Sequence, residues 1–419
     1  MRINRRRFLS QSSLAAAAFS MNHSITPPLN GATGLAIDQA FDNVVNAHMK
    51  TRQTPGVSLA VVKDRRLVYA RSYGWADVEK KEAPRPDSLF RIASISKTFT
   101  GAAVLKLVSA GRLDLDAPAF ALLALEPLPG KEPDPRLKNI TVRHLLHHTA
   151  GWDRDKSGDP MFLSEKIAQA NGEPPPAKQH AIIRYMLGQP LDFDPGARYA
   201  YSNLGYCVLG RIIEKITGQN YTTWVQENVL APIGVKDMRQ GISRAEGRAA
   251  GEVKYYMPDH GLTDGETPTE PYTGFYLEAM DSHGGWLASA VDLARYAAAL
   301  DDSTRVSWLS AEARRALYQA PAPPASRKPD GSLEATYYGC GWMVRPVGTS
   351  GRGNYWHTGS LPGTFTLLVR RHDGLTWAIL LNQRSSDPKL SDRDIDPALH
   401  EAADSVAEWP THDLFSKYS

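Results

Sequence analysis

An α+β fold, an antiparallel β-sheet flanked by helices with an all-helical part inserted into it, is what this 419-residue sequence predicts. Three observations predict it. Strand-like runs rich in Val, Leu, Tyr and Trp stand near both ends of the chain. Between them, from about 92 to about 300, apolar residues recur mainly at helical spacing. The strand runs follow one another through short turns, which makes neighbours antiparallel. The expected division is a discontinuous sheet domain over 35–90 and 285–410, a mainly helical domain over 91–284, and a site at their interface.

The first 30 residues stand apart. "MRINRRRFLSQSSLAAAAFSM" has a basic start and a mildly apolar, Ala-rich stretch. This is the pattern of an export signal, and twin arginines followed by Phe8 and Leu9 resemble the twin-arginine type. The stretch is too short for a permanent membrane anchor. A periplasmic or secreted location is expected, although no good Ala-x-Ala cleavage site follows.

The remaining elements read in order. "GVSLAVVKDRRLVYARSYGWAD" (56–77) is a hairpin around a polar turn. "IASISKTFTGAAVLKLVSAGRLDL" (92–115) is a helix that Gly111 stops. "TVRHLLHHTAG" (141–151) has Thr141 as N-cap and Gly151 as stop. "NLGYCVLGRIIEKITG" is amphipathic and ends at Gly218, and "YTTWVQENVLAPIG" and "SAVDLARYAAAL" follow suit. Strands return as "YYGCGWMV", "NYWHTGS", "TFTLLVRR" and "LTWAILLNQ", with an "HDG" turn between the last two. "DPALHEAADSVAEW" is a closing helix. The stretches 153–180 and 251–282, rich in Pro, Gly and charge, read as long loops of the kind that border sites.

Composition excludes several function classes. Hydrophobic residues make up 42% and charged residues 22%, an ordinary globular balance. The net charge is +3, but Arg2, Arg5, Arg6 and Arg7 supply four positive charges, leaving the rest near −1. Nucleic acid is therefore not an expected partner. Cys207 and Cys340 lie in apolar stretches without metal-ligand spacing and read as small buried hydrophobes. His144, His147 and His148 lack the His-Glu-x-x-His pattern and read as helix packing and capping rather than a zinc site.

Three short motifs carry chemistry. "SISK" puts Ser94 and Lys97 three residues apart, close enough on a helix for the amine to reach the hydroxyl. A neutral lysine can take the serine proton if burial or a nearby cation lowers its pKa. "YSN" places Tyr201 and Asn203 directly before a helix. "HTGS" places His357, Thr358, Gly359 and Ser360 in a strand.

In this order the trio resembles the penicillin-recognising serine hydrolases, and more narrowly the class C β-lactamase group, which includes D-alanyl-D-alanine carboxypeptidases, D-aminopeptidases and β-lactamase-like esterases. "HLLHHTAGW", "FDPGARYAYSNLGY" and "HGGWLASAVDLARYAAAL" strengthen the likeness, which covers roughly 40–405. It implies a β-lactamase/transpeptidase-like fold and no metal or organic cofactor. Ser94 then matches the nucleophile, and Lys97 the general base or its partner. Tyr201 matches a phenol that shuttles a proton with the lysine, with a phenolate beside the ammonium as a further form of the base. Asn203 matches a group positioning the substrate amide and the lysine. Gly359 and Ser360 match the strand whose N–H, with that of Ser94, forms an oxyanion hole.

His357 departs from the lysine usual in class C β-lactamases and is expected to be only partly charged, which counts against efficient β-lactam hydrolysis. The implied substrate is a small molecule or peptidoglycan fragment: a β-lactam, a D-amino-acid peptide or a small ester. A non-hydrolysing penicillin- or peptidoglycan-binding sensor would share these residues. Tyr255, Tyr256, Phe275, Tyr276 and Trp286 fit either pocket wall or core, and Trp152 and Gly284-Gly285 are equally open.

Overall fold

In a computed structural model the described residues are 34–258, 271–301, 304, 308–328, 330–348, 352–385 and 391–418. The expected export signal lies outside them. Among the described residues no helix is long and apolar enough to cross a membrane.

Seven strands form one antiparallel sheet in the order β2-β1-β10-β9-β8-β7-β6. They are β1 (Gly56–Lys63), β2 (Arg66–Gly74), β6 (Tyr337–Tyr338), β7 (Met343–Val347), β8 (Arg352–Leu361), β9 (Thr364–Arg370) and β10 (Leu375–Leu381). The N-terminal hairpin is thus completed from the far end of the chain, with Val57 opposite Leu381 and Lys63 opposite Leu375. The hairpin turn places Asp64 and Arg65 at φ of 48° and 67°. Two consecutive left-handed residues match the twist of the flanking strands. Three further short strands, β3 (Phe90–Arg91), β4 (Arg239–Gln240) and β5 (Trp286–Ala288), make a small sheet in the order β3-β5-β4.

Alternation along β1 sorts its side chains into two cores. Val57, Leu59 and Val61 pack with Phe41 and Val45 of the Ile37–Arg52 helix and Leu399 of the Ile395–Ser405 helix. Ala60 and Val62 face the other way, into the larger core that continues through the helical part. Burial on both faces explains why β1 reads as an unbroken apolar run. On the second face Ala70, Ala60 and Ala378 stand side by side across β2, β1 and β10. These small side chains make room for the Ala-rich helix Ala290–Ala299, which crosses the strands there.

The Ser96–Ser109 helix is buried almost throughout. A Cβ on its Gly101 would lie 2.2 Å from the Cys340 carbonyl oxygen, so only glycine lets the helix meet that turn. The Asn203–Thr217 helix packs beside it and ends at Gly218, as its sequence predicts. Cys207 and Cys340 are buried, with thiols pushed up to about 12 by burial.

Several expectations are corrected. The helix expected over 141–151 spans only Val142–Leu146, because His148 takes a left-handed φ of 57°. Its start is as expected: Thr141 and His144 form a reciprocal capping box. The stretch 153–180 is not a long loop. It holds helical turns at Arg154–Ser157 and Pro160–Phe162 and a helix at Ser164–Asn171. The Asp and Pro residues that suggested a loop start these turns instead: the Asp153 and Asp159 carboxylates accept from the N–H of Asp155 and Met161. Within 251–282, residues 259–270 lie outside the described set.

The aromatic residues offered as pocket wall are mostly structural. Trp286 is fully buried, edge-on to Phe99 at 6.0 Å. Trp152 is buried edge-on to Phe120. Tyr255 and Phe275 surround the Arg91 guanidinium, 4.4 and 5.9 Å from their ring centres. Arg91 donates to the carbonyls of Ile242, Ser243 and Pro271, and its Nε lies 3.6 Å from a fully buried Glu252 carboxylate. Removing one member of such a pair strands the other charge in the interior. Arg91→Met is therefore expected to destabilise the protein by about 3–5 kcal/mol, with Arg91→Met/Glu252→Leu recovering part of the loss. Denaturant midpoints measure both; a single variant as stable as wild type would contradict the buried pair.

Candidate active site

Ser94 lies in a tight turn, Ala93–Ile95, that leads into the Ser96–Ser109 helix, so Ser94 and Lys97 flank the junction rather than share one continuous helix. Ala93 has a φ of 45°, a strained conformation for a residue with a Cβ. The surroundings hold it. The Ile92 N–H donates to the Trp286 carbonyl at 3.0 Å, and the Ser96 hydroxyl to the Ala93 carbonyl at 2.7 Å. From the main sheet, the Thr366 hydroxyl donates to the Ile92 carbonyl at 3.1 Å.

Lys97 is completely buried, and its Nζ has three neighbours. They are the Asn203 Oδ1 at 2.7 Å, the His283 carbonyl oxygen at 2.7 Å and the Ser94 Oγ at 3.2 Å. Burial lowers its pKa well below the ordinary value, and the Arg154 cation adds to the effect, while Asp159 opposes it. The partners decide where a neutral amine points. Asn203 Oδ1 and the His283 carbonyl can only accept, so they take the two N–H groups. The lone pair is left to face the Ser94 hydroxyl. The Asn203 amide is fixed in this sense because its Nδ2 donates to Asp159 at 2.6 Å.

Tyr201 precedes the Asn203–Thr217 helix and is half-buried beside Lys97, whose Nζ lies 4.9 Å from the ring centre. Burial pushes its phenol up to about 12, against the lowering pull of Arg154 and of its contact with the Ser94 hydroxyl. A neutral phenol beside a lysine whose own pKa is depressed favours the amine, not a phenolate, as the proton acceptor.

The strand motif is split in role. β7 pairs with β8 only as far as Trp356, whereas β9 follows β8 to Leu361. Residues 357–361 therefore have one edge free of strand partners, and the Ser94 turn packs against β8. Gly359 makes this approach possible: a Cβ there would lie 2.0 Å from the Ile92 carbonyl oxygen. His357 does not meet the expectation of a partly charged group. It is buried, its Nδ1 lies 2.7 Å from the Thr358 carbonyl and its Nε2 2.9 Å from the Tyr338 hydroxyl. The carbonyl can only accept, so Nδ1 carries the proton and Nε2 accepts from Tyr338. Burial, then the Lys97 charge, bring its pKa down to about 3. Thr358 is half-buried. Ser360 is exposed, and the Arg384 guanidinium donates to its hydroxyl at 3.4 Å.

Five participants escaped the sequence reading. Asp159 orients Asn203, Arg154 lies over the Tyr201 ring at 4.5 Å, and His283 supplies a carbonyl to Lys97. The His148 and Tyr338 rings pack at a tilt with centres 4.3 Å apart, and the His148 ring centre is also 4.3 Å from that of Tyr201. Arg154 and Asp159 carried a signal as charges in a stretch marked as bordering a site, and His148, read as helix packing, lay in the quoted "HLLHHTAGW". Gly284 shows no crowding that demands glycine, whereas a Cβ on Gly285 would lie 2.3 Å from the Gln240 side chain.

A buried amine aimed at a serine hydroxyl, a phenol beside both and an adjoining open strand edge together define a site for acyl transfer to serine. The chain belongs to the β-lactamase family: the family model described as Beta-lactamase matches residues 41–401. Among curated relatives, protein flp of Staphylococcus aureus is 30% identical over 198 residues, 47% of this chain and 37% of that protein. Esterase EstB of Burkholderia gladioli is 30% identical over 273 residues, 62% of this chain and 64% of that one. The matched region thus spans less than two thirds of either relative. The solved structure of D-amino acid amidase from Ochrobactrum anthropi SV3 superimposes with a TM-score of 0.67 at 21% identity, covering 91% of this chain and 99% of the amidase. That likeness establishes the fold.

Proposed function

We propose that the protein is a serine hydrolase that cleaves small esters or amides through an acyl-enzyme on Ser94. The observation that carries this reading is the set of three partners around Lys97 Nζ, which turns a neutral amine's lone pair toward Ser94. In the first step the Ser94 hydroxyl proton passes to Lys97 as Oγ bonds to the substrate carbonyl carbon. The N–H groups of Ser94 and of the β8 edge near Gly359 and Ser360 stabilise the oxyanion. The proton then returns through Tyr201 to the leaving group as its bond to the carbonyl carbon breaks. Water repeats the sequence on the acyl-enzyme. His357 holds Tyr338, and through it the aromatic packing around Tyr201, rather than meeting substrate with a charge. The kinship with a protein named as an esterase supports ester substrates. The twin-arginine pattern of residues 1–30 supports action outside the cytoplasm.

Acid-quenched mass spectrometry with a p-nitrophenyl ester tests the reading. The peptide carrying Ser94 is expected to gain the acyl mass and to lose it as p-nitrophenol continues to be released. No adduct on that peptide overturns the mechanism. A permanent adduct after a single turnover makes the protein a sensor instead.

A further inference from the structure

The site has a cation with unspent hydrogen-bonding capacity. Arg154 stands on the short Arg154–Ser157 turn, half-buried, with its guanidinium carbon 4.5 Å from the centre of the Tyr201 ring. Among the described residues its guanidinium makes no hydrogen bond or ion pair. The carboxylates around it are engaged elsewhere. Asp153 is taken by Arg198 at 2.7 Å, Asp159 by Asn203 and the Met161 N–H, and Asp192 by the Asp153 N–H and the Ser157 hydroxyl. Asp155, its neighbour in sequence, is exposed.

The other basic groups of the site are neutral or already make at least one hydrogen bond. Lys97 is buried with all three of its contacts filled, and burial keeps His148 and His357 uncharged at neutral pH. Arg384 reaches the Ser360 hydroxyl. The Tyr201 ring under the guanidinium also has Lys97 Nζ 4.9 Å from its centre, so the charge stands beside the reacting atoms. Stacking on the negative face of Tyr201 holds the guanidinium without using its N–H donors. A planar fork of free donors is matched by a carboxylate, which it binds through two parallel hydrogen bonds.

Resting on the hydrolase reading of the same site, we propose that Arg154 is the substrate-recognition residue for a carboxylate, so that the preferred substrates are esters or amides bearing a free carboxylate group. Substrates with an ammonium group near the scissile bond, such as amino-acid amides, are disfavoured by the same charge. The cation that binds this carboxylate stands on the 153–180 segment and not on the strand motif.

The test compares mono-p-nitrophenyl glutarate with p-nitrophenyl pentanoate, one anionic and one neutral ester of similar length, after subtraction of spontaneous hydrolysis. Wild type is expected to favour the glutarate in kcat/KM. Arg154→Gln is expected to lower the glutarate-to-pentanoate ratio about tenfold, chiefly through KM, and Arg154→Glu to lower it further. A ratio unchanged in both variants overturns the proposal. So does an equal loss on both esters accompanied by an upward shift of the acid limb of the pH–rate profile, which would make Arg154 a tuner of Lys97. If wild type forms no acyl adduct on Ser94 and hydrolyses neither ester, the hydrolase reading itself falls. A wild type that turns over both esters equally, with both variants unchanged, refutes only the role of Arg154.

Discussion

Lys97→Met is expected to reduce kcat/KM for a p-nitrophenyl ester by about 10³-fold, within the range spanned by positioned general bases. Methionine is apolar and of similar length, so it suits a fully buried position better than any polar replacement. What it removes is the lone pair facing Ser94, together with the two N–H groups that fix Asn203 and the His283 carbonyl. Thermal unfolding measured alongside separates the two losses: two orphaned acceptors cost about 1–3 kcal/mol each, a defect of stability and not of proton transfer. The wild-type pH profile carries the same argument. In the proposed mechanism the active form is the neutral amine, and its pKa is lowered by burial and by Arg154. Activity is therefore present above that lowered pKa and lost below it as the ammonium forms, so that acid inactivation sets in well below the ordinary lysine range. A Lys97→Met protein within tenfold of wild type would remove the amine from the mechanism.

Gly359→Ala is expected to have the second-largest effect, about 10²-fold or more in kcat, the scale of one lost oxyanion donor. The new methyl group would sit 2.0 Å from the Ile92 carbonyl and 2.3 Å from the Thr366 hydroxyl. Ile92 is held by Trp286, and Thr366 bonds both Ile92 and Gly359, so neither neighbour can yield alone. β8 must then lift from the Ser94 turn, which widens the space between the two sets of N–H groups. Stability should fall by about 1–3 kcal/mol, as for an overpacked core. Because ground-state binding relies on other contacts, kcat should fall more than KM rises. A variant with wild-type kcat would show that the close approach of Gly359 serves packing alone.

The sequence was most informative where a short pattern imposes a local geometry. Apolar, β-rich runs located β1, β2, β9 and β10, and the N-cap at Thr141 and the stop at Gly218 fall where expected. Ser94, Lys97, Tyr201, Asn203 and the 357–360 strand come together as their three motifs suggested, since each motif is a few residues anchored to one element. Two kinds of information stayed hidden. Ionisation depends on three-dimensional burial, so nothing in "HTGS" told that His357 would be enclosed, tied to Tyr338 and neutral. Long-range partners of the site residues leave no local period. Asp159 lies 44 positions from Asn203 and His283 lies 186 from Lys97, and the latter contributes only a backbone oxygen that any residue type could offer. The turns of 153–180 were missed for a third reason, because Asp and Pro begin helices as readily as they make loops.

The pairing of β1 with β10 also sets an order of events during synthesis. The hairpin of β1 and β2 leaves the ribosome early, yet its open edge waits for a strand more than three hundred residues downstream. The turn that bears Ser94 waits as well, since Thr364 and Thr366, which hold the Arg91 and Ile92 carbonyls just before it, belong to β9. Contacts of such sequence separation form late and slowly. A nascent chain lacking its last fifty or so residues lacks β10 and the helix behind it, so it presents an exposed strand edge and no closed sheet. The site proposed for acyl transfer is therefore incomplete until β9 and β10 have been made, and it closes in one late step.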